Sequence, residues 1–372
     1  MPQVSVIVPI FNGTAYLPAF FESLSAAIPE GSELILVDDA STERVWDTVP
    51  EIPRAGSVTR LSNESNLGYS AAVNRGFAKA TGDVVVQLNT DLILQPACIT
   101  AMVELIASER DVGVVGSKLI YPTTGLVEHV GLSFGALSKN RMFHELPAAH
   151  PLCNQTRQLQ IVSGATVAMT RRVLGRLGPL DETYFNRNED LEHCLLALRH
   201  GLRNFMCAES VAHHWKSKSG PARFARIVAS DALFWSRWGA GCEPDLGGFV
   251  DQAIEHVLQE HPRMAGLPFQ VLDLSRGADQ PIVLERLFRR WPGLATRVQS
   301  FRQMNNPADR LWLPLLLPDR LAFESAPFIY VVDGYRELEQ NALWFEHRRQ
   351  VVGDEIIIDL KAAAVVTSEL AR

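Results

Sequence analysis

The stretch VSVIVPIFNG, residues 4–13, decides the fold. Val4 to Val8 form a short run rich in β-branched residues, which is the pattern of a buried strand. Phe11-Asn12-Gly13 then supplies a turn. Apolar residues recur at helical spacing from Leu17 to Ile28, and a second strand-like run follows from Glu33 to Val37. We therefore predict a strand, a helix and a second strand at the start of the chain.

The alternation of strand and helix continues beyond this segment. We predict strands at Val58–Leu61 and Val84–Leu88, and helices from about Ser70 to Ala80 and from near Pro96. Such alternation implies a mainly parallel sheet flanked by helices. Polar residues just past the strand ends line the ligand crevice of such sheets. Here those residues are Asp39 and Asp91.

The rest of the chain is less regular and suggests a second domain. Residues 110–215 contain the strand-like runs VGVVG and IVSGATVAM and a helix through Leu191 and Leu198. An aromatic-rich helix at 224–238 and a glycine- and proline-containing joint at 239–248 follow. We therefore predict a first domain at 1–240 and an α/β or helical accessory domain at 245–372. The predicted elements of the tail are strands at 270–274, 328–332 and 355–360 and helices near 282–304 and 335–350.

Composition narrows the class of protein. With 372 residues, 47% of them hydrophobic and 21% charged, the chain is typical of a globular protein of two domains. A net charge of -7 gives no attraction for nucleic acid. Five scattered cysteines without a CxxC pair argue against a disulfide framework or a zinc site. The chain starts without the features of a signal peptide, and its apolar runs are too short for a transmembrane segment. We expect a cytoplasmic protein, or one bound peripherally at the membrane.

The motifs of the first half point to a nucleotide that is held without the usual phosphate loops. The sequence contains no GxGxxG and no GxxxxGK, which disfavours the common dinucleotide and P-loop sites. Its ordered motifs are Val4-Ser5-Val6-Ile7-Val8-Pro9, Val37-Asp38-Asp39-Ala40-Ser41-Thr42, Asn66-Leu67-Gly68, Asn74-Arg75-Gly76, Leu88-Asn89-Thr90-Asp91, Gly178-Pro179-Leu180-Asp181-Glu182 and Asn188-Glu189-Asp190.

This series resembles the family 2 glycosyltransferases with the GT-A fold over about residues 3–220. The resemblance implies a mixed α/β sheet flanked by helices. It also implies inverting transfer of a sugar from a UDP- or dTDP-sugar to a hydroxyl of a glycan or glycoconjugate acceptor. The NxD form of Asn89-Thr90-Asp91 is similar to that of rhamnosyltransferases, which suggests rhamnose as the donor sugar.

The resemblance assigns the nucleotide to the first half of the chain. The residues it places against the nucleotide are Pro9, Asn12, Asp39, Asn66, Asn74 and Asn89. A carboxylate at Asp39 suits uracil or thymine, because both bases offer an N3 hydrogen as a donor. The alternative is that Asp38 and Asp39 only form an Asx turn before Ser41.

The resemblance also implies a bound Mg2+ or Mn2+, with Asp91 and His213 as its protein ligands. Hard oxygen ligands suit such ions, which need only one or two carboxylates besides phosphate. The sequence departs from the family's DxD motif at Asn89, which contributes no charge. His213 is favoured by motif alignment, and the choice between it and His214 stays open. The alternatives are that Asp91 caps the helix near Pro96 and that the histidines belong to a surface loop.

Asp190 is the predicted catalytic base, since Glu189-Asp190-Leu191-Glu192 resembles the family's EDxD segment at the start of a helix. The resemblance places four further residues against donor or acceptor: Ser163, Gly164, Glu189 and Trp215. Acidic residues in a first helical turn are also expected from capping and the helix dipole alone, so that interpretation stays open.

Two other functions remain as alternatives. Asn89, and Glu192 where the family often has Asp, are compatible with a nucleotide- or sugar-binding protein that has lost turnover. A nucleotidyltransferase is disfavoured, because the first strand is not followed by a glycine-rich loop with a lysine. The region from 245 onward is a candidate for acceptor binding or for assembly of a homo-oligomer.

Overall fold

The computed structural model describes residues 2–136, 138–184, 187–215, 227–275, 278–296, 298–300, 325–335 and 342–371. The chain divides into two compact units. The first comprises Met1–Leu132 and Glu145–Cys242, and the second comprises Ser133–His144 and Glu243–Arg372.

The described strands and helices are numbered here in chain order. The strands are β1 Val4–Ile10, β2 Ser32–Asp38, β3 Ala55–Ser62, β4 Val84–Leu88, β5 Leu92–Leu94, β6 Val112–Ile120, β7 Val127–His129, β8 Leu132–Phe134, β9 Lys139–Arg141, β10 Arg157–Leu159, β11 Thr166–Thr170, β12 Arg203–His214, β13 Gln270–Asp273, β14 Val298–Ser300, β15 Phe328–Val332, β16 Ile356–Asp359 and β17 Ala364–Thr367. The α-helices are α1 Leu17–Ala27, α2 Tyr69–Phe77, α3 Cys98–Ser108, α4 Arg171–Leu177, α5 Glu189–Arg199, α6 Ile227–Trp238, α7 Leu246–Glu260, α8 Gln280–Arg290 and α9 Ala342–Val352.

The first unit is built on a mixed sheet in the order β10-β12-β6-β11-β4-β1-β2-β3. Strands β3, β2, β1 and β4 are parallel, while β11 runs antiparallel between β4 and β6. The strand β5 pairs with β12, and β7 pairs with β6. The expected fold class, a mixed α/β sheet flanked by helices, is confirmed.

Side-chain alternation along β1 builds a core on each face of this sheet. Val6 and Val8 are fully buried on one face with Phe20 of α1. Ile7 is fully buried on the other face, where it packs with Ala72 of α2. Successive strand residues point to opposite faces, so a run that is apolar at every position is what a strand covered on both faces requires.

Most elements predicted for the first unit are present, with differences at their ends. The strand Val84–Leu88 is found at the predicted residues, and the predicted helix at 70–80 spans Tyr69–Phe77. The aromatic-rich helix is described from Ile227, and its predicted start at 224 lies outside the described residues. The twelve-residue strand β12 was not predicted. Its register shifts between Cys207 and Val211, which breaks the regular period that sequence patterns reveal.

The second unit contains a smaller sheet in the order β14-β13-β15-β16-β17. Four of these strands are parallel, and β17 pairs antiparallel with β16. The three predicted strands of the tail are confirmed. The predicted helix near 282–304 is wrong beyond Arg290, where the chain forms a 3-10 turn at Pro292–Thr296 and the strand β14. The predicted helix near 335–350 is described as Ala342–Val352.

A buried ion pair lies in the core of the second unit. Arg348 Nη2 lies 2.8 Å from Glu355 Oε1, and both side chains are inaccessible to solvent. The other carboxylate oxygen accepts a hydrogen bond of 2.6 Å from the Tyr330 hydroxyl. Burial of this kind is tolerated when the charges are paired and hydrogen-bonded.

The segment Ser133–His144 belongs to the second unit although it precedes most of the first unit's residues in sequence. The backbone amide of Phe134 donates to Asp245 Oδ1 at 2.7 Å, and that of Ala136 donates to Asp279 Oδ1 at 3.0 Å. Phe134 and Phe143 are fully buried. A division of the chain at 240–245 alone therefore does not separate the two units.

No helix within the described ranges is both long enough and apolar enough to cross a membrane.

Candidate active site

Polar residues of the first unit collect at one edge of its sheet. The parallel strands β1, β2 and β4 end at Ile10, Asp38 and Leu88. Asp39 and Asn89 follow two of these ends directly, and Asn12 lies two residues after the end of β1. The antiparallel strand β11 begins at the same edge, where Thr166 pairs with Leu88. Gly164 lies just before that start, so this edge also receives the residues that hold Asp190.

Asp39 is buried and holds the loop that leads into α2. Its Oδ1 accepts hydrogen bonds from Asn63 Nδ2 at 2.7 Å and from the Leu67 amide at 3.0 Å. Its Oδ2 accepts from the Gly68 amide at 2.9 Å. The Asx turn that sequence offered as an alternative is made by Asp38, whose Oδ1 accepts from the Ser41 amide at 2.9 Å. Asp39 thus fixes the Asn66-Leu67-Gly68 motif, and a carboxylate with three donors still has lone-pair capacity for a ligand.

Asn12 holds the loop after β2 from the opposite side. Its φ of 54° lies in the left-handed region, which asparagine tolerates better than most residues. Its Oδ1 accepts from the Thr42 amide at 2.8 Å, and its own amide donates to Ser41 Oγ at 2.7 Å. Pro9, another predicted nucleotide contact, is buried inside β1 opposite Val37.

Two exposed apolar residues flank this edge, and sequence reasoning did not single them out. Phe11 is 45% exposed and follows Ile10, whose carbonyl accepts a hydrogen bond of 2.8 Å from the Asp39 amide. Leu67 is 55% exposed, and its amide binds the same carboxylate. Large apolar side chains exposed beside a buried carboxylate suit the faces and the edge of a planar base. The available signal in the sequence was that Leu67 lies within the Asn66-Leu67-Gly68 motif and Phe11 within the turn after the first strand.

Asn89 takes part in a buried hydrogen-bond network. Its Oδ1 accepts from the Tyr69 hydroxyl at 2.7 Å, and that hydroxyl accepts from Gln87 Nε2 at 2.7 Å. Gln87 Nε2 also donates to the Gly164 carbonyl at 3.0 Å. Burial, aided by the charges of Glu189 and Asp190, raises the pKa of Tyr69 well above its ordinary value, so the phenol keeps its proton. Neither Tyr69 nor Gln87 was predicted from the sequence.

Asp190, the predicted base, lies in the first turn of α5 and is held by the same segment. Its Oδ2 accepts from the Gly164 amide at 2.8 Å. A Cβ atom at Gly164 would lie 2.5 Å from Asp190 Cβ, so only glycine permits this approach. The helix begins after Asn188, which makes no side-chain cap to the helix. Helix capping explains only part of the role of Asp190. Its Oδ1 accepts a hydrogen bond of 2.9 Å from a helical amide, that of Leu191, whereas its Oδ2 binds the Gly164 amide outside the helix.

Glu189, next to the predicted base, is a buried carboxyl group. Burial, and second the charge of Asp190, raises the pKa of Glu189 to about 8. Its Oε2 makes no hydrogen bond to any residue that the structure describes. Below about pH 8 the carboxyl group of Glu189 is therefore mostly neutral and adds no charge beside Asp190.

The structure brings His214, rather than His213, to Asp91. His214 Nε2 lies 3.3 Å from Asp91 Oδ1, and its Nδ1 lies 3.3 Å from Glu128 Oε2. His213 precedes it in β12, so its side chain points to the opposite face. Burial alone would lower the pKa of His214, but the hydrogen bonds and charges of Asp91 and Glu128 outweigh it and raise the pKa to about 9. The spacing of four residues between His214 and Ser219 was the available sequence signal for this histidine.

Asp91 and His214 are the side chains here that fit a divalent ion. Asp91 does not cap α3, whose N-cap is Ala97. Within the described residues, no three or more His, Cys, Asp or Glu side chains are arranged to hold a metal. Two protein ligands suit Mg2+ or Mn2+ only when phosphate and water complete the coordination, and His214 must first lose its Nε2 proton. The predicted metal role of His213 stays a prediction.

The remaining predicted residues are distributed around this edge. Asn74 is committed on both sides of its amide: Oδ1 accepts from the Leu180 amide at 2.8 Å and Nδ2 donates to the Leu180 carbonyl at 2.9 Å. Asn66 is exposed. Ser163 is half-buried, with its Oγ 3.4 Å from the Ala165 amide. The Trp215 amide donates to the Asp91 carbonyl at 2.9 Å. Residues 216–219 of the predicted histidine loop lie outside the described residues.

Comparison with known proteins finds a family match for the part of the chain that contains Asp39, Asn89 and Asp91. Residues 5–178 match the family model described as Glycosyl transferase family 2. The chain is 34% identical over 128 residues to a dolichol-phosphate mannosyltransferase of Pyrococcus furiosus, covering 34% of this chain and 36% of that protein. It is 29% identical over 248 residues to the O-antigen biosynthesis protein RfbC of Myxococcus xanthus, covering 64% of this chain and 19% of that protein.

Among solved structures, the chain is similar to the mannosyltransferase PcManGT from Pyrobaculum calidifontis in complex with GDP-Man and Mn2+. The TM-score is 0.44 at 16% identity, covering 78% of this chain and 88% of that chain. The chain spans about a third or less of the length of the two curated relatives.

Proposed function

We propose that the chain transfers a sugar from a UDP- or dTDP-sugar to a hydroxyl group, since residues 5–178 match the model of glycosyl transferase family 2. The observation that carries this proposal is the meeting of Asp39, Asn89 and Asp190 at one edge of the sheet. Asp39 and Asn89 follow parallel strands, and Asp190 is held there through the Gly164 amide at 2.8 Å. A nucleotide-binding carboxylate and a base at one crevice are what the reaction needs.

We propose that Asp39 binds the nucleobase of the donor. Phe11 and Leu67 are the proposed apolar neighbours of that nucleobase. Uracil and thymine offer an N3 hydrogen to a carboxylate, whereas cytosine offers none. Pro9, Asn12, Asn66 and Asn74 are proposed as further residues of the nucleotide site. Rhamnose remains the suggested sugar on the NxD motif alone.

Asp91 and His214 are the proposed holders of a Mg2+ or Mn2+ ion. When bound, the ion would supply positive charge against the diphosphate. The neutral amide of Asn89 adds no charge here, so metal binding should depend on the nucleotide.

Asp190 is the proposed general base. It accepts the proton of the acceptor hydroxyl while that oxygen attacks the anomeric carbon from the face opposite the diphosphate. The new glycosidic C–O bond forms as the bond to the diphosphate breaks, and the nucleoside diphosphate leaves with the electron pair. The product then has inverted configuration, and Ser163, Glu189 and Trp215 are proposed to line the donor and acceptor sites.

Glycan or glycoconjugate assembly is the proposed setting. The two curated relatives are, by name, a dolichol-phosphate mannosyltransferase and an O-antigen biosynthesis protein, which supports an acceptor of this class. Action in the cytoplasm, or at the membrane surface, is part of the same proposal, as is a role of the second unit in acceptor binding or in forming a homo-oligomer.

The alternative, a binding protein without turnover, rests on Asn89 rather than on Glu192. Glu192 Oε2 accepts hydrogen bonds from the Tyr184 hydroxyl at 2.7 Å and from Trp238 Nε1 at 2.8 Å. These bonds give the longer acidic side chain a packing role. The departure from the family pattern at this position is therefore not a sign of lost catalysis.

Calorimetry of nucleotide binding tests the proposal. UDP and dTDP should bind in the presence of Mn2+, GDP and CDP should bind weakly, and Asp91→Ala should abolish the metal dependence. Asp47→Ala, an exposed carboxylate in a surface 3-10 turn, is the matched control. Metal-independent binding, or no binding of any nucleotide, would overturn the donor site. Binding that persists in Asp190→Asn with loss of sugar transfer would support Asp190 as the base, whereas absent transfer by the wild type with every donor tried would favour the binding protein.

A further inference from the structure

The network around Asn89 fixes the direction of each of its hydrogen bonds. A backbone carbonyl can only accept, so the Gln87 atom 3.0 Å from the Gly164 carbonyl must be the Nε2 donor. The reversed amide would place two acceptor oxygens against each other.

The same Gln87 nitrogen lies 2.7 Å from the Tyr69 hydroxyl and donates to it. The single phenolic hydrogen is then available to Asn89, 2.7 Å away, with the Gly164 carbonyl more distant at 3.4 Å. The Asn89 atom that receives it must be Oδ1, because an amide NH2 group cannot accept. The raised pKa of Tyr69 keeps that hydrogen in place at neutral pH.

The amide of Asn89 is therefore oriented by its hydrogen bond from Tyr69. Gln87 is 3% exposed, and Tyr69 and Asn89 are both half-buried. With Oδ1 turned toward Tyr69, Nδ2 lies on the other side of the Cβ–Cγ bond, in the same amide plane. An aspartate at this position would present only acceptor oxygens to a ligand.

We propose that Tyr69 is a positioning residue that holds Asn89 with its Nδ2 toward the nucleotide, so that the site donates a hydrogen bond to an acceptor oxygen of the ribose or diphosphate. This inference rests on the proposed function, because it deepens the same nucleotide site. Gln87 sets the direction of the relay from the Gly164 carbonyl. Asn89 thereby has a chemical role that the aspartate of the family's DxD motif would not provide.

Binding of UDP in Mn2+ buffer to Tyr69→Phe, Asn89→Ala and the double variant tests the positioning role. Each single variant should weaken binding about 3- to 10-fold, the range expected for loss of one hydrogen bond. The effect of Tyr69→Phe should vanish in the Asn89→Ala background, because Tyr69 acts through Asn89. Additive effects of the two substitutions would overturn the positioning role.

The matched control is Tyr184→Phe, which also removes a buried hydroxyl that makes a 2.7 Å hydrogen bond, here to Glu192. It should leave the UDP affinity unchanged while lowering the melting temperature to a similar extent. An equal loss of affinity in the control would show that any lost tyrosine hydroxyl loosens the site, and would overturn the proposal.

Asn89→Asp tests the donor direction, because it keeps an acceptor for Tyr69 and replaces the donor by an acceptor oxygen. It also adds a negative charge, so UDP binding is measured with and without Mn2+. It should weaken UDP binding about 10-fold or more. Affinity equal to or tighter than that of the wild type would overturn the donor assignment. A loss seen with UDP but not with UMP would assign the oxygen to the terminal phosphate, and a loss with both would assign it to the ribose or the first phosphate. If the wild type binds neither UDP nor dTDP, the proposed function itself fails, whereas wild-type binding with unaffected variants refutes this inference alone.

Discussion

Replacing Gly164 by alanine should uncouple catalysis from nucleotide binding. The added Cβ would lie 2.5 Å from Asp190 Cβ and 2.7 Å from its Oδ2. Separations this short cannot be tolerated, and Cβ does not move by side-chain rotation, so the backbone at residue 164 or 190 must shift. The Asp190 carboxylate should then lose its 2.8 Å hydrogen bond from the Gly164 amide. The loops around Asp39 make no use of that amide and should keep their arrangement.

The expected loss follows from the bond that is broken. A hydrogen bond to a charged group contributes about 1.5–3 kcal/mol. At about 1.36 kcal/mol per factor of ten, kcat should fall by roughly 10- to 150-fold. Overpacking should also lower the free energy of unfolding by about 1–3 kcal/mol.

The assay is release of nucleoside diphosphate from the donor sugar that the wild type accepts, with UDP affinity measured in parallel by calorimetry. Gly175→Ala is the control, because a Cβ at this helical glycine meets no atom within 4 Å and the substitution should stabilise the helix by about 0.5–1 kcal/mol. Retention of kcat within twofold in Gly164→Ala would refute the role of the Gly164 amide in placing the base. A parallel loss of UDP affinity would refute the separation of the two sites.

Three further perturbations have defined outcomes. Because burial and the neighbouring Asp190 raise the pKa of Glu189 to about 8, its contribution to stability is full below its ordinary pKa of 4.5 and is lost as the pH rises through 8. Glu189→Gln should therefore show a smaller decline in the free energy of unfolding between about pH 5 and 8 than the wild type in urea titrations, and an equal decline would contradict it. Arg348→Met should destabilise the second unit by about 3–5 kcal/mol, since it leaves the Glu355 carboxylate buried without its partner, and thermal melts that match the wild type would exclude this. Asp39→Asn should weaken UDP binding at least about 10-fold in calorimetry, because an amide cannot accept hydrogen bonds through both of its terminal atoms. Unchanged affinity would exclude Asp39 from the nucleobase site.

The sequence predicted the edge of the sheet at which the site lies, because parallel strands place the residues after their carboxyl ends together. Asp39 follows β2 and Asn89 follows β4 as expected, and the start of α5 carries Asp190. The hydrogen bonds that connect Asn89 with the segment holding Asp190 could not be predicted from the sequence. Tyr69 and Gln87 are ordinary residues in a helix start and an apolar strand, and only the pairing of β4 with β11 brings the Gly164 carbonyl to them.

Whether His213 or His214 faces Asp91 depends on strand register, which also could not be predicted from the sequence. Adjacent residues of a strand face opposite sides, so a shift of one position in β12 would exchange them. The register is set by pairing with β5 and β6, where His214 lies opposite Leu92. Glu128, which accepts from the other ring nitrogen, is 86 residues away and has no motif of its own.

The segment Ser133–His144 bears on how the chain matures during synthesis. It leaves the ribosome well before Asp245, Asp279 and Ala362, which supply its hydrogen bonds in the second unit. Until those residues are made, the apolar side chains of Phe134 and Phe143 have no place to pack. A nascent chain that ends near residue 242 would therefore display an apolar hairpin to chaperones and to other nascent chains. Truncation at the same point should yield an aggregation-prone protein even where the first unit is fully folded.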